Sequence, residues 1–288
     1  MGKSEMKTAE FKDCMRADSL THPGLVRHVN EDAVGFFLED GCFFVADGMG
    51  GGSAGDLASG FLENELSEVI EGSRAEMPGL RKYNVNQAIH NAHIKIRNYA
   101  ENMHFEQMGT TLALMLFNPW NMNSAWICHI GDSRIYRLRQ GRFIRLTRDH
   151  TVGAELAERK RSFLSKNILS DHRTSHLSHI LTRVVGSTRG SAPEWEETDI
   201  HPNDRFLICS DGVSTMLKEK EIMRVMVNAE GPEETVAELS EKVLESGAKD
   251  NFSMITVFIE KKLPEILEPD DDLRIENEYH LKISERIN

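Results

Sequence analysis

The sequence predicts an α+β fold: two stacked, mainly antiparallel β-sheets with helices on both outer sides, an αββα sandwich. Two observations carry this expectation. Strand-like runs come in groups and helical patterns come in groups, whereas a doubly wound parallel sheet would alternate them one by one. Turn signals at Asp40-Gly41 and Gln140-Gly141 join neighbouring apolar runs as hairpins. At 288 residues and 40% hydrophobic composition the chain can bury a substantial core.

In chain order, Ala33 to Asp47 contains the runs AVGFFLE and CFFVAD, followed by the glycine-rich DGMGGGSAG. LASGFLENELSEVI and VNQAIHNAHIKIRNYAENM then repeat their apolar residues at helical spacing. The middle of the chain returns to strands: TTLALMLF, SAWICHI, RIYRLR and RFIRLT. RFLICS and SMITVFI are two later strands, with helical stretches over about 218–227 and 233–245 between them. Residues 151–178, polar and rich in Arg and His, interrupt this pattern as an excursion from the core. Periodicity fades after Lys261. The expected division is an N-terminal extension (1–14), one domain (15–261) and an acidic C-terminal tail (262–288), with no internal repeat.

The net charge of −12 argues against nucleic acid as a partner, because a phosphate backbone is bound by a basic surface. Half of that charge sits in residues 265–278, where seven acids face one arginine for a net of −6. The remaining acidic body would need cations to receive a phosphate ester. No apolar run approaches the roughly 20 residues of a membrane span, and MGKSEMKTAE has neither a signal-peptide core nor the Ser or Thr that myristoylation requires at Met6. Cys14, Cys42, Cys128 and Cys209 are far apart and form no C-x-x-C pair, so they read as buried free thiols of a reducing compartment. A cytoplasmic monomer is expected.

Three acids stand at strand ends beside turn residues: FFVAD-G at Asp47, LICSD-G at Asp211 and AKD-N-FSMITV at Asp250. The sheet would hold their backbones while their side chains point into a cleft, where oxygen ligands suit Mg²⁺ or Mn²⁺. Any one of them alone reads as turn chemistry. Gly50-x-Gly52-x-x-Gly55 also satisfies a dinucleotide-binding pattern. Asp47 would then aim a negative charge at the pyrophosphate, and the position about 20 residues on falls in a helix, so this reading fails. The loop instead keeps Cβ atoms out of a crowded site.

In order along the chain, Arg27-His28-Val29-Asn30-Glu31-Asp32, Ala46-Asp47-Gly48-Met49-Gly50-Gly51, Met108-Gly109-Thr110-Thr111 and Gly131-Asp132-Ser133-Arg134 are followed by Leu146-Thr147-Arg148-Asp149-His150, Leu181-Thr182-Arg183-Val184-Val185-Gly186, Ser210-Asp211-Gly212 and Asp250-Asn251. This set resembles the bacterial metal-dependent protein phosphatases of the PPM, or type 2C, family over about residues 15–260. The resemblance implies hydrolysis of phosphoserine and phosphothreonine in proteins, reversing a bacterial Ser/Thr kinase, with two or three Mn²⁺ or Mg²⁺ ions. Asp47 would bridge two ions, with the Gly48 carbonyl on one and Asp211 and Asp250 on the other. Glu31 would act through water, Arg27 would grip the phosphate, and Asp132 with Asp211 would hold a third, weaker ion. Residues 151–178 match the family's flap in position.

Chemistry agrees with these roles. Two cations about 4 Å apart make hydroxide available from a shared water near neutral pH, and an arginine can hold two phosphoryl oxygens at once. Met49 departs from the histidine of animal members and cannot donate a proton to the leaving group. Gly52-Ser53 replaces the histidine that many bacterial members carry after Gly-Gly. His172, His176 and His179 would share a helical face, which raises a zinc site, although no Cys or acid completes it. His129 reads as an ordinary strand residue.

Overall fold

The computed structural model describes residues 11–50, 54–163, 177, 180–187 and 192–260. The elements in order are β1 (Met15–His22), β2 (Asp32–Phe37), β3 (Cys42–Met49), α1 (Ala54–Ile70), α2 (Pro78–Met103), β4 (Gly109–Thr110), β5 (Leu112–Phe117), β6 (Ser124–Ile130), β7 (Arg134–Arg139), β8 (Arg142–Arg145), α3 (Val152–Phe163), β9 (Glu194–Asp199), β10 (Arg205–Cys209), α4 (Asp211–Ser214), α5 (Glu219–Asn228), α6 (Pro232–Glu245) and β11 (Phe252–Ile259). One sheet runs β1-β11-β10-β7-β8. The other runs β2-β3-β5-β6-β9, with β4 pairing to β3. Every pairing between these strands is antiparallel.

Strand alternation sorts the apolar residues into three layers. Phe43, Val45, Met115 and Phe117 of one sheet meet Ile135, Phe206, Ile255 and Val257 of the other between the sheets. Their neighbours Phe44, Leu114 and Leu116 face outward beneath Leu62, Leu66, Ile89 and Ile96 of α1 and α2. Leu207, Cys209 and Met254 carry Ile222, Val225, Leu239 and Val243 of α5 and α6 on the opposite face. Every residue of β5 is buried because both of its faces are covered, so LALMLF reads as a continuous apolar run. The expected αββα sandwich is what the chain forms.

Two strands escape the sequence reading, and both are edge strands. β1 (MRADSLTH) borders one sheet and β9 (EWEETD) borders the other. Edge strands carry charge, which discourages further pairing and hides the period-2 signal. Helix α2 begins at Pro78 at its first turn, seven residues before the expected Val85. Arg81 breaks its apolar pattern yet is buried, donating to the Asp40 carbonyl, to Phe117 O at 2.8 Å and to Ser73 Oγ at 3.2 Å.

The Asp40-Gly41 turn closes a four-residue loop between Phe37 and Cys42, whereas Gln140 and Gly141, at φ 49° and 76°, form a two-residue hairpin turn. Phe11 and Cys14, in the stretch set apart as an extension, are buried, and a Cβ on Gly41 would lie 2.5 Å from the Phe11 ring. The segment after His150 leaves as α3 and returns at Leu181, held by Val152 N to Ile180 O and Thr182 N to His150 O at 2.9 and 2.8 Å. His172, His176 and His179, the Gly52-Ser53 pair and the acidic tail lie outside the described residues.

Candidate metal centre

The topology gathers strand ends from both sheets at one end of the sandwich. Asp47, near the end of β3, faces Asp32 at the start of β2 as its cross-strand partner. Antiparallel pairing of Cys209 with Met254 sets the end of β10 beside the start of β11, which brings Asp211 and Asp250 together. Asp132 sits in the Gly131-Asp132-Ser133 turn that passes from β6 in one sheet to β7 in the other. Arg27 and Glu31 lie in the connection from β1 to β2. Arg27, Glu31, Asp47, Gly48, Asp132, Asp211 and Asp250 all line one cleft of about 480 Å³.

Neutral side chains hold the backbone of this cleft in place. Thr111 N donates to Asp47 O and Asp47 N donates to Thr111 Oγ1, each at 2.9 Å, and Thr111 Oγ1 lies 2.7 Å from Ser133 Oγ. Asn251 ties down the β1–β2 connection at three points: its Nδ2 donates to Pro23 O and Val29 O, and its Oδ1 accepts from Glu31 N, all at 2.9 Å. Gly48 packs so tightly that a Cβ would stand 2.1 Å from Gly55 O and 2.5 Å from Glu31 O, in keeping with glycines that clear a crowded site.

The sequence profile of the protein phosphatase 2C family matches residues 26–264. The chain belongs to the protein phosphatase 2C family. It is 30% identical over 253 residues to the serine/threonine phosphatase stp of Listeria welshimeri, covering 84% of this chain and 95% of that one. It is 31% identical over 235 residues to the serine/threonine protein phosphatase PstP of Mycobacterium tuberculosis, covering 81% of this chain and 42% of PstP. Among solved structures, the Stp1 phosphatase of Staphylococcus aureus aligns with a TM-score of 0.77 at 27% identity, over 90% of this chain and all of that one. The PstP catalytic domain in complex with two manganese ions aligns at 0.72 and 27%, over 86% and 99%.

The electrostatics of this protein phosphatase 2C cleft call for cations. Burial, then the charges of Asp32, Asp211, Asp132 and Asp250, hold the Asp47 carboxyl well above the usual carboxylate range. Asp32 and Asp132 are each pushed up to about 7, chiefly by burial, and burial also raises Glu31. Glu31 Oε1 and Asp32 Oδ1 are buried with no hydrogen-bond partner, a costly state that a cation would relieve. The donors are all oxygens, the set that fits Mg²⁺ or Mn²⁺.

Arg27 is the one side chain of fixed positive charge among the described residues of the cleft. It is half-exposed and donates to Asp250 Oδ2 at 2.9 Å, and that hydrogen bond and charge raise its pKa. Asp32 is the acid that the sequence reading passed over. It stands opposite Asp47 and accepts from Ser210 Oγ at 2.8 Å. Its signal was an acid next to Glu31 at the start of an apolar run. Asn251 was read only as a turn residue.

Proposed function

We propose that Asp47, Gly48, Asp211 and Asp250 hold two divalent cations, with Glu31 acting through water and Asp132 with Asp211 serving a third, and that Arg27 binds the substrate phosphate. As a protein phosphatase 2C family member, the chain is a metal-dependent serine/threonine protein phosphatase. The observation that carries the assignment is the convergence of six acids, Glu31, Asp32, Asp47, Asp132, Asp211 and Asp250, at a cleft whose one arginine among the described lining residues is Arg27. That is a poor arrangement for stability and a suitable one for hard cations.

Bound there, Mn²⁺ or Mg²⁺ would activate water and neutralise charge building on the phosphoryl group. The chain's own part is positional. Arg27, on an exposed loop, exchanges Asp250 for two phosphoryl oxygens and sets the phosphorus in line for attack. Thr111 and Asn251 fix Asp47 and Glu31 through the backbone, so the acids need little reorganisation. Asp32, paired across the strands with Asp47 and anchored by Ser210, adds a buried acid directly behind the ligand set. Met49 carries no proton for the leaving group.

Phosphorylated proteins are the substrates, and we read a Ser/Thr kinase as the opposing partner and a cytoplasmic monomer as the working form. Four buried cysteines, none in a disulfide, support the reducing compartment. Among the described residues, no helix is long and apolar enough to cross a membrane. Hydrolysis of p-nitrophenyl phosphate and of a phosphoserine peptide, with Mn²⁺ and with excess EDTA, tests the assignment. Turnover should vanish in EDTA and return with Mn²⁺; full activity in the chelator would overturn it.

A further inference from the structure

Behind the turn that carries Asp132, three ligand-type side chains meet that the phosphatase reading leaves unused. His129 in β6, His150 just before α3 and Glu194 at the start of β9 bring two imidazole nitrogens and a carboxylate oxygen within 4.8 Å of one another. His129 is the cross-strand partner of Glu194, and its ring centroid lies 4.5 Å from that of His150. His129 is 3% exposed and His150 5%, and the Nε2 atom of each is shut off from water without a hydrogen-bond partner. His150 Nε2 stands 3.2 Å from Glu194 Oε2, so the imidazole and the carboxylate already face each other at ion-pair distance. The other oxygen of Glu194 accepts from Arg183 at 2.6 Å, an outer contact of the kind that orients a ligating carboxylate.

We propose that His129, His150 and Glu194 form a separate site for a transition-metal ion of the Zn²⁺ class, with water as the fourth ligand. Two neutral imidazoles and one carboxylate are a recognised zinc set, whereas Mg²⁺ prefers oxygen alone. Burial favours the neutral state of both rings, which ligation requires, with His129 held down to about 3. The side chain of Glu194, 44% exposed, provides the way in.

Proton accounting couples this site to the phosphatase cleft. Gly131 N–H donates to His150 Nδ1 at 3.1 Å, so the proton of the neutral ring sits on Nε2. A cation on Nε2 needs that lone pair. The proton must then move to Nδ1, where it confronts the Gly131 N–H donor. Loading the site therefore gives up the bond that fixes Gly131, at φ 101°, immediately before Asp132. The ion acts as an inhibitor through this turn.

Isothermal titration with Zn²⁺ in saturating Mg²⁺, which fills the carboxylate cleft, tests the site directly. The wild-type chain should take up one more Zn²⁺ than either His129→Ala or Glu194→Gln, with folding verified by circular dichroism. Co²⁺ in place of Zn²⁺ should give the visible absorption of a four-coordinate site, lost in both variants. If His129→Ala fails to fold, Glu194→Gln decides, because Glu194 is partly exposed and Gln preserves its shape. Equal Zn²⁺ uptake by wild type and Glu194→Gln overturns the site. Zn²⁺ inhibition of aryl phosphate hydrolysis in saturating Mg²⁺ should also weaken at least about tenfold in Glu194→Gln; unchanged inhibition overturns the coupling to Asp132.

Discussion

Strand β10 has an aspartate beyond each end, and the two ends are built in opposite ways. Asp204, before the strand, is fully buried and receives both arms of Arg139, Nε and Nη2, at 2.7 Å each. The same arginine and Arg137 hold Asp199, whose carboxyl is drawn down to about 2 chiefly by Arg139. Asp211, after the strand, opens into a cleft shared with Glu31, Asp47, Asp132 and Asp250, where the one fixed positive charge among the described lining residues is Arg27. Acids that serve the fold arrive with their counter-charges. Acids gathered without enough of them mark the place where the counter-charge comes from outside.

Asp47→Asn against Asp204→Asn is the sharpest way to break that contrast. Asp47→Asn should lower turnover by several orders of magnitude while the metal-free protein melts no lower than wild type, because one repelling buried charge is gone. Asp204→Asn should leave kcat near wild type and lose about 1–3 kcal/mol of stability, since it weakens two buried hydrogen bonds from Arg139, which keeps Asp199 as its counter-charge. Steady-state rates and thermal melts of both variants read this out, and a stability loss in Asp47→Asn with little change in rate would erase the distinction.

Asp132→Ala should have the next largest effect. The turn is held by Ser133 and His150, not by the Asp132 carboxylate, so the variant should fold. Met49 supplies no proton, so the leaving oxygen must be protonated through groups that Asp132 organises. Turnover on a phosphoserine peptide should fall about tenfold or more beyond the loss on p-nitrophenyl phosphate, whose phenolate leaves almost unaided. Equal losses on the two substrates would make Asp132 purely electrostatic.

The same physics explains what the sequence could and could not reveal. Layers buried on both faces announce themselves, as LALMLF and CFFVAD do, because nothing polar is tolerated there. Of the seven proposed site residues, Asp47, Asp211 and Asp250 were legible because each sits where an apolar run meets a turn, whereas Arg27, Glu31, Gly48 and Asp132 were legible only through motifs shared with the family. β1 and β9 were hidden by their edge positions. Asp32, Asn251 and the His129–His150–Glu194 cluster were hidden because their partners are 15 to more than 200 residues away in sequence, and only the fold brings them together. Arg81 was hidden because two of its three partners are backbone carbonyls, which have no sequence signature.

Without metal, the cleft should also govern the pH dependence of stability. Asp32 and Asp132 titrate at about 7 in the fold, against about 3.9 in the unfolded chain. Between those values the folded state holds protons that the unfolded state has lost, so stability falls as pH rises through this window. The metal-free protein should melt several degrees lower at pH 8 than at pH 5.5, and Mn²⁺ should raise the melting temperature more at pH 8. In Asp132→Asn the decline should flatten. A metal-free protein that gains stability from pH 5.5 to 8 would show that the acids are not forced together as described.

The smallest expected effect belongs to the acidic tail. The described fold closes where Glu260 N donates to Cys14 O at 2.8 Å and Arg16 pairs with the Glu260 side chain at 3.0 Å, so the last rung of β11 is already tied back to β1. Residues 265–278 carry a net charge of −6, and their charge is screened beyond about 8 Å at physiological salt. A chain ending at Leu263 should therefore match the full chain in kcat on p-nitrophenyl phosphate and melt within about 0.5 kcal/mol of it. A basic phosphopeptide is the exception that sharpens the comparison. Its KM should rise slightly on truncation at low salt and not at high salt, because the tail adds negative charge to the molecule without touching the chemistry. A large loss of rate or stability in the truncated chain would instead mean that the tail packs on the domain.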